Sequence, residues 1–363
     1  MTARTQRAGV GLLERVDRYQ RAHRWVGLPV AVVYKFADDQ GSYLAALITY
    51  YGFLSLFPLL LILVTVLGFV LGSHSDLRQQ VLASTLGKFP IIGDQLGENI
   101  HSLHGSVPAL VIGIVVSLYG ALRVANAGQN ALNQVWAVPR HARPNPVGAY
   151  RRSLLLVIGV GVGILGTTAL SGLTTAEHAF GGVLGAAFDL AIRVVAALLA
   201  VAINTGLIVL AFRVLTAAHV PLRQLRAGAV IAAVAWQVLQ EIGTYYVART
   251  LKGASATYGL FGIVLGLLAW IYLGALVVVL CAEFNVVRAN RLWPRALLAP
   301  FTDTAGLTRA DRRAYSSYAT AQQHNATQTV EVNFDRTTTE PETDMERTSP
   351  HIPRVTDHPN DAS

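Results

Sequence analysis

Apolar residues in this chain gather into six long blocks separated by polar or basic stretches. The first, residues 42–72, reads SYLAALITYYGFLSLFPLLLILVTVLGFVLG and contains no charged residue. As a helix it is about 45 Å long, more than the ~30 Å of a hydrocarbon core. The others are residues 107–125, 153–175, 188–212, 227–248 and 258–282. Each is near the roughly 20 residues that a membrane helix needs. The pattern predicts an all-α integral membrane protein with six transmembrane helices.

The first of these helices is expected to be kinked. Pro58 lies near its middle, has no N–H for the Leu54 carbonyl, and crowds that carbonyl with its ring. In lipid the freed carbonyl needs another partner: the Ser55 hydroxyl, a water or a neighbouring helix. A membrane proline that is merely tolerated is the plainer alternative.

Outside the blocks the periodicity changes. Leu12, Val16, Tyr19 and His23 fall at helical spacing with Arg15, Arg18 and Arg21 between them. That predicts a basic amphipathic helix on the cytoplasmic leaflet, within an N-terminal region of residues 1–41. Between spans one and two, Leu77 and Val81 share one helical face, and Ile92, Leu96, Ile100 and Leu103 share another. Two short amphipathic helices are expected over residues 73–106, outside the membrane. The membrane domain closes near residue 295, and residues 296–363 turn polar. Over residues 314–363, rich in Thr, Pro, Asp and Glu, apolar clusters are too few to repay the entropy of ordering. A largely disordered cytoplasmic tail is expected there.

Composition sharpens this picture. With 53% hydrophobic and 14% charged residues among 363, the chain does not read as a soluble domain. The single cysteine, Cys281, excludes an intrachain disulfide and a cysteine-based zinc site. No cleavable signal peptide is expected, because arginines run through residues 1–25. The net charge of +8 is concentrated beside the apolar blocks. The expected partners are therefore anionic lipid headgroups on the cytoplasmic side and not nucleic acid. A homo-oligomer or envelope-assembly partners stay open.

Charge placement also predicts orientation. Arg15, Arg18, Arg21, Arg24 and Lys35 precede span one, and Arg140, Arg143, Arg151 and Arg152 lie between spans two and three. Arg213, Arg223 and Arg226 lie between four and five, and Arg288, Arg291 and Arg295 follow six. The alternate loops hold only Arg78 and Lys88, then Arg249 and Lys252. The positive-inside rule thus puts both termini in the cytoplasm.

Several short motifs stand in a distinctive order: Ala45-Ala46-Leu47, Tyr50-Tyr51, Ser55-Leu56-Phe57-Pro58, then Ala131-Leu132-Asn133 and Trp136. Gly228, Trp236, Tyr246, Tyr258-Gly259, Trp270-Ile271-Tyr272 and Ala282-Glu283 follow. In this register the chain resembles the YihY / virulence factor BrkB family of bacterial inner-membrane proteins, formerly labelled ribonuclease BN, over roughly residues 30–295. Gln237 stands where the resemblance leads one to expect an acidic residue, and the tail after Thr302 has no family counterpart. The resemblance implies a multi-pass protein of the bacterial inner membrane, with export of lipid or other envelope material suspected for some members.

Polar groups inside apolar spans are the natural functional candidates, since burying them in lipid is costly. Arg123 near the end of span two and Glu283 near the end of span six lie at one membrane level. They could pair or snorkel separately to the headgroups. Asn133 continues the polar series of span two. Asp189 and Arg193 stand four apart in span four, a local ion pair. Gln237 and Glu241 share a face of span five; Glu241 is expected to face the bundle interior and to couple to Arg193 or carry a proton. Ser55 and Pro58 complete the set. Asp94, Glu98, His101 and His104 fall at ligand-like spacing, although a solvated polar face explains them equally well. No catalytic residue and no cofactor is expected. A translocator of a lipid or other amphiphilic envelope component is the leading reading, and a membrane scaffold or assembly factor is the alternative. A ribonuclease is disfavoured, because the histidines are scattered, with no His-x-His-x-Asp-His cluster and no soluble catalytic domain.

Overall fold

The computed structural model describes residues 15–70, 107–180, 186–246, 252–297, 299 and 306–334, with side chains over much of that span. Among these residues every regular element is helical. A short helix at 15–22 leads into α1 (Arg24–Asp38). Six long helices follow: α2 (Gly41–Val70), α3 (Val107–Val135), α4 (Pro146–Phe180), α5 (Ala186–Leu215), α6 (Leu222–Tyr246) and α7 (Lys252–Asn290). A final helix, α8, spans Arg309–Ala321. Four of the long helices contain, within the described residues, a stretch long and apolar enough to cross a bilayer. These are Val111–Val135, Leu198–Leu215, Leu222–Gly243 and Val264–Asn290.

The long helices pack in chain order, α2 on α3, α3 on α4, and so on to α6 on α7. Because α7 also packs along α2, the sequence of contacts closes into a ring. The tightly buried core lies toward one end of that ring. Ala31 of α1, Leu132 and Val135 of α3, Phe212 of α5, Leu225 and Ala229 of α6, and Val279 and Val286 of α7 belong to it. Farther along, large apolar side chains such as Ile112, Val115, Leu155, Leu198 and Val238 are exposed. Such a belt suits hydrocarbon and not water.

Corners between helices are made by residues held in the left-handed region. Gln40 (φ 55°) turns α1 into α2, and Ala137 (φ 49°) and Arg291 (φ 52°) follow the ends of α3 and α7. At the first corner only glycine fits next: a Cβ at position 41 would sit 2.3 Å from the Phe36 ring.

Two expectations are corrected here. Residues 309–321, within the segment 296–363 expected to be a largely disordered tail, form a capped helix whose Ala310, Ala314 and Asp311 are buried. Order comes from small side chains and ion pairs, which a search for apolar clusters overlooks. Second, the helix at 15–22 buries Asp17 and Gln20 and leaves Val16 and Tyr19 exposed. Its polar flank is the one that docks on the protein. The backbone of α2 is helical without interruption through Pro58. The amphipathic helices expected over residues 73–106, and with them Asp94, Glu98, His101 and His104, lie outside the described residues, as do residues 335–363.

Candidate functional site

The candidate site grows from an oddity of α1. Ala31, Val32 and Lys35 lie on one helical face, and all three are buried. Turning the apolar pair inward carries the lysine with it. Lys35 retains only 1% exposure and contacts Asp39 one turn on. Its ammonium also donates to the Val135 carbonyl at 2.9 Å, satisfying one of the acceptors left open at the end of α3. The third neighbour is Glu283 of α7, fully buried, with Oε2 3.2 Å from the Lys35 Nζ. That contact is one of charge: neither Glu283 oxygen receives a well-aligned hydrogen bond. Burial pushes the Asp39 carboxyl above its ordinary range, while Lys35 pulls it back. Two buried carboxylates thus share one ammonium. The surplus negative charge gives this trio the capacity to take up one proton.

A second ionic group adjoins the first through neighbouring Asp38. Arg295, also 1% exposed, donates from Nε to Asp311 Oδ1 at 2.6 Å and from Nη2 to Asp38 Oδ2 at 2.9 Å. Asp311 closes the capping box of α8 with Thr308 and accepts from the Ala296 N–H at 3.0 Å. The 15–22 helix clamps the same segment. Gln20 donates to the Arg295 carbonyl at 2.5 Å, and Asp17 accepts from the Leu297 N–H at 3.0 Å. Tyr318 of α8 links the two groups, with its hydroxyl donating to Asp38 at 3.2 Å and its ring 5.4 Å from the Lys35 ammonium. Burial, with Asp39 and Asp38 nearby, pushes the Tyr318 hydroxyl well up.

Amide side chains at the same end of the ring tie the helices to one another. The Asn133 side chain accepts from the Ala217 N–H at 2.7 Å. Gln129 donates to the Ala149 carbonyl and the Ser153 hydroxyl, both at 2.8 Å, and Gln134 donates to the Asp39 carbonyl at 2.8 Å. On α7, Asn285 accepts from the Gly228 N–H at 2.8 Å and donates to the Leu225 carbonyl at 3.1 Å. Here α6 and α7 approach so closely that a Cβ at 228 would lie 2.3 Å from the Cys281 carbonyl oxygen. Gly228→Ala should therefore destabilise the protein by about 1–3 kcal/mol, read as a lower melting temperature in detergent. A wild-type melting temperature would show that the two helices are free to separate.

The structure brings together some of the residues singled out from sequence and separates others. Glu283 and Asn133 join this end of the ring. Arg123 does not pair with Glu283: it is half-buried and donates to the Tyr119 hydroxyl one turn back, from Nε at 2.9 Å and Nη2 at 2.7 Å. Glu283 is already taken by Lys35. The Ser55 hydroxyl donates to the Gly52 carbonyl at 2.8 Å and so does not serve Leu54. The Pro58, Asp189 and Arg193 side chains lie outside the described set. Glu241 is exposed, contrary to the interior position expected, and Gln237 donates to it at 3.4 Å. The turn of α6 that buries Ala229, Ala232 and Ala233 carries Glu241 to the other flank. Among the described residues, no group of three His, Cys, Asp or Glu is placed to hold a metal. Lys35 and Arg295 were weighed only as charges that set orientation, and Asp38, Asp39 and Asp311 were not singled out. Two signals pointed to them: a lone lysine inside AVVYKFADD, and the Thr308-x-x-Asp311 spacing of a capping box.

Glu283 lies at the Ala282-Glu283 step, within the stretch where a family model described as Virulence factor BrkB matches residues 32–301. The chain belongs to the virulence factor BrkB family. Among curated BrkB relatives, the Inner membrane protein YhjD of Escherichia coli (strain K12) is 25% identical over 72% of this chain and 80% of its own length. The Putative ribonuclease-like protein YfkH of Bacillus subtilis (strain 168) is 27% identical over 71% of this chain and 93% of its own length. No solved structure matches this BrkB-family chain significantly.

Proposed function

We propose that this BrkB-family protein is a six-span translocator that moves a lipid or other amphiphilic envelope component across the membrane. The protein resides in the bacterial inner membrane and passes through it several times, in keeping with the name of YhjD and the apolar helices described above. The remaining two spans of the proposal are α2 and α4, and both termini face the cytoplasm on the positive-inside rule. A phosphatase fusion, active only outside the cytoplasm, should work after Gly105 or Gly181 and fail after Arg143 or Arg223. Activity after Arg143 would overturn the topology.

The observation that carries the translocator reading is the outward position of Glu241. It lies about 20 Å along α6 from Gly228, well away from the buried ionic end. Exposed Val234, Val238 and Ile242 surround it. A carboxylate on such a flank is costly in hydrocarbon unless it lines a wet groove or meets a polar group. A headgroup sliding along α6 would supply that group. Purified protein in liposomes with labelled lipids should equilibrate the label between leaflets, and Glu241→Ala should slow this severalfold with folding intact. Transfer no faster than in protein-free vesicles would refute the reading.

The scaffold alternative draws support from α8, which is docked on the bundle and exposes Arg309 and Arg313. Truncation before α8 does not discriminate, because it removes Asp311 from Arg295. Truncation after residue 334 keeps that contact. It should spare a translocator and harm a scaffold that recruits partners through the tail.

A further inference from the structure

We infer that the pocket between the end of α7 and the start of α8 binds a phosphate group, as carried by an anionic phospholipid headgroup or by a soluble phosphate compound. The pocket, about 410 Å³, is lined chiefly by Arg291, Trp293, Pro294, Thr308, Arg309 and Arg313. That volume falls within the ordinary range for small-ligand sites. Arg309 and Arg313 stand one turn apart on the same face of α8, and Arg291 reaches the pocket from the left-handed corner after α7.

The electrostatics are one-sided. Three guanidinium groups line the pocket and no carboxylate does. Asp311 is near in sequence but already holds Arg295, the Ala296 N–H and the Thr308 hydroxyl and N–H. Among the described residues, none of the three lining arginines forms an ion pair, whereas the buried Arg295 beside them forms two. Like charges gathered in a small concavity repel until an anion enters, and the planar guanidinium fork suits phosphate oxygens. Position adds the remaining argument. Arg291 follows the end of α7, about 13 Å of helix beyond the apolar block that ends at Ala282. The pocket therefore lies on the headgroup side of that span, with Trp293 in its wall as at many membrane interfaces. This inference does not depend on translocation, since such a site would equally anchor a scaffold.

The test uses the full chain in neutral detergent. Native mass spectrometry would follow retention of phosphatidylglycerol against phosphatidylcholine, and calorimetry would follow binding of inorganic phosphate and pyrophosphate. The expected result is preferential retention of one phosphatidylglycerol, weakened at least tenfold in Arg309→Gln/Arg313→Gln at an unchanged melting temperature. Arg291→Asn, which tolerates the left-handed backbone, provides a second, independent variant with the same expected loss. Displacement of the lipid by millimolar pyrophosphate would place its phosphate in this pocket. Arginine-dependent binding of phosphate or pyrophosphate without lipid preference would assign the site to a soluble source. Lipid retention equal in wild type and both variants, or no anion binding at all, would overturn the inference.

Discussion

Lys35→Met should lower stability by about 3–5 kcal/mol, far more than the loss of a lysine usually costs. The size follows from what stays behind. Asp39 is 4% exposed and Glu283 0%, and Lys35 is the cation that both of them contact. Methionine fills the same space but leaves two buried carboxylates facing each other. The Val135 carbonyl also loses its donor. Lys35→Met/Asp39→Asn/Glu283→Gln, which removes all three charges, should recover most of the loss, because a buried charge costs most when left unpaired. Denaturant-induced or thermal unfolding in detergent would measure both. A single variant as stable as wild type would mean that water reaches the trio freely.

The pH dependence has a fixed sign. The folded-state Asp39 carboxyl lies above its ordinary value because of burial. Its contribution is therefore full below about pH 4 and is lost as pH rises through the folded value. The Lys35→Met protein, with its cation gone, should regain stability on acidification more steeply than wild type. Asp39→Asn should remove its share of that slope.

The six long helices were legible because apolar run length is a local property of sequence. Each predicted block lies within one observed helix or overruns its described end by only a few residues. The ionic end was not legible in the same way. Arg123 and Glu283 do stand near the same end of their helices, as counting residues implied. Which side of each helix they occupy depends on packing, and that turned Arg123 outward to Tyr119 and Glu283 inward to Lys35. Glu241 failed for the same reason. Helix α8 was missed because its buried face is Ala310, Asp311, Ala314 and Ala321, with no large apolar residue among them. Its order is supplied by Arg295 and by the bond from Tyr318 to Asp38, a contact separated by 280 residues in sequence.

That dependence makes Arg295→Met the second large perturbation. Its guanidinium is almost wholly buried and bonds Asp311 and Asp38 at once, while its ring-facing side lies 5.7 Å from Tyr315. Methionine would leave the Asp311 charge buried with only its capping bonds and the Ala296 N–H, at a local cost of about 3–5 kcal/mol. Helix α8 has little apolar area with which to offset such a loss, so the damage should appear there first. The expected result is rapid protease cleavage between the bundle and α8, with the six long helices still protected. Arg295→Lys should fall between wild type and Arg295→Met, since a single ammonium cannot reproduce the fork that spans two carboxylates. Arg295→Met/Asp311→Asn should regain part of the protection, because asparagine keeps the capping oxygen without the stranded charge. If α8 resists protease equally in all four proteins, Arg295 does not hold it. The helix would then owe its position to the Tyr318–Asp38 bond and the buried alanines.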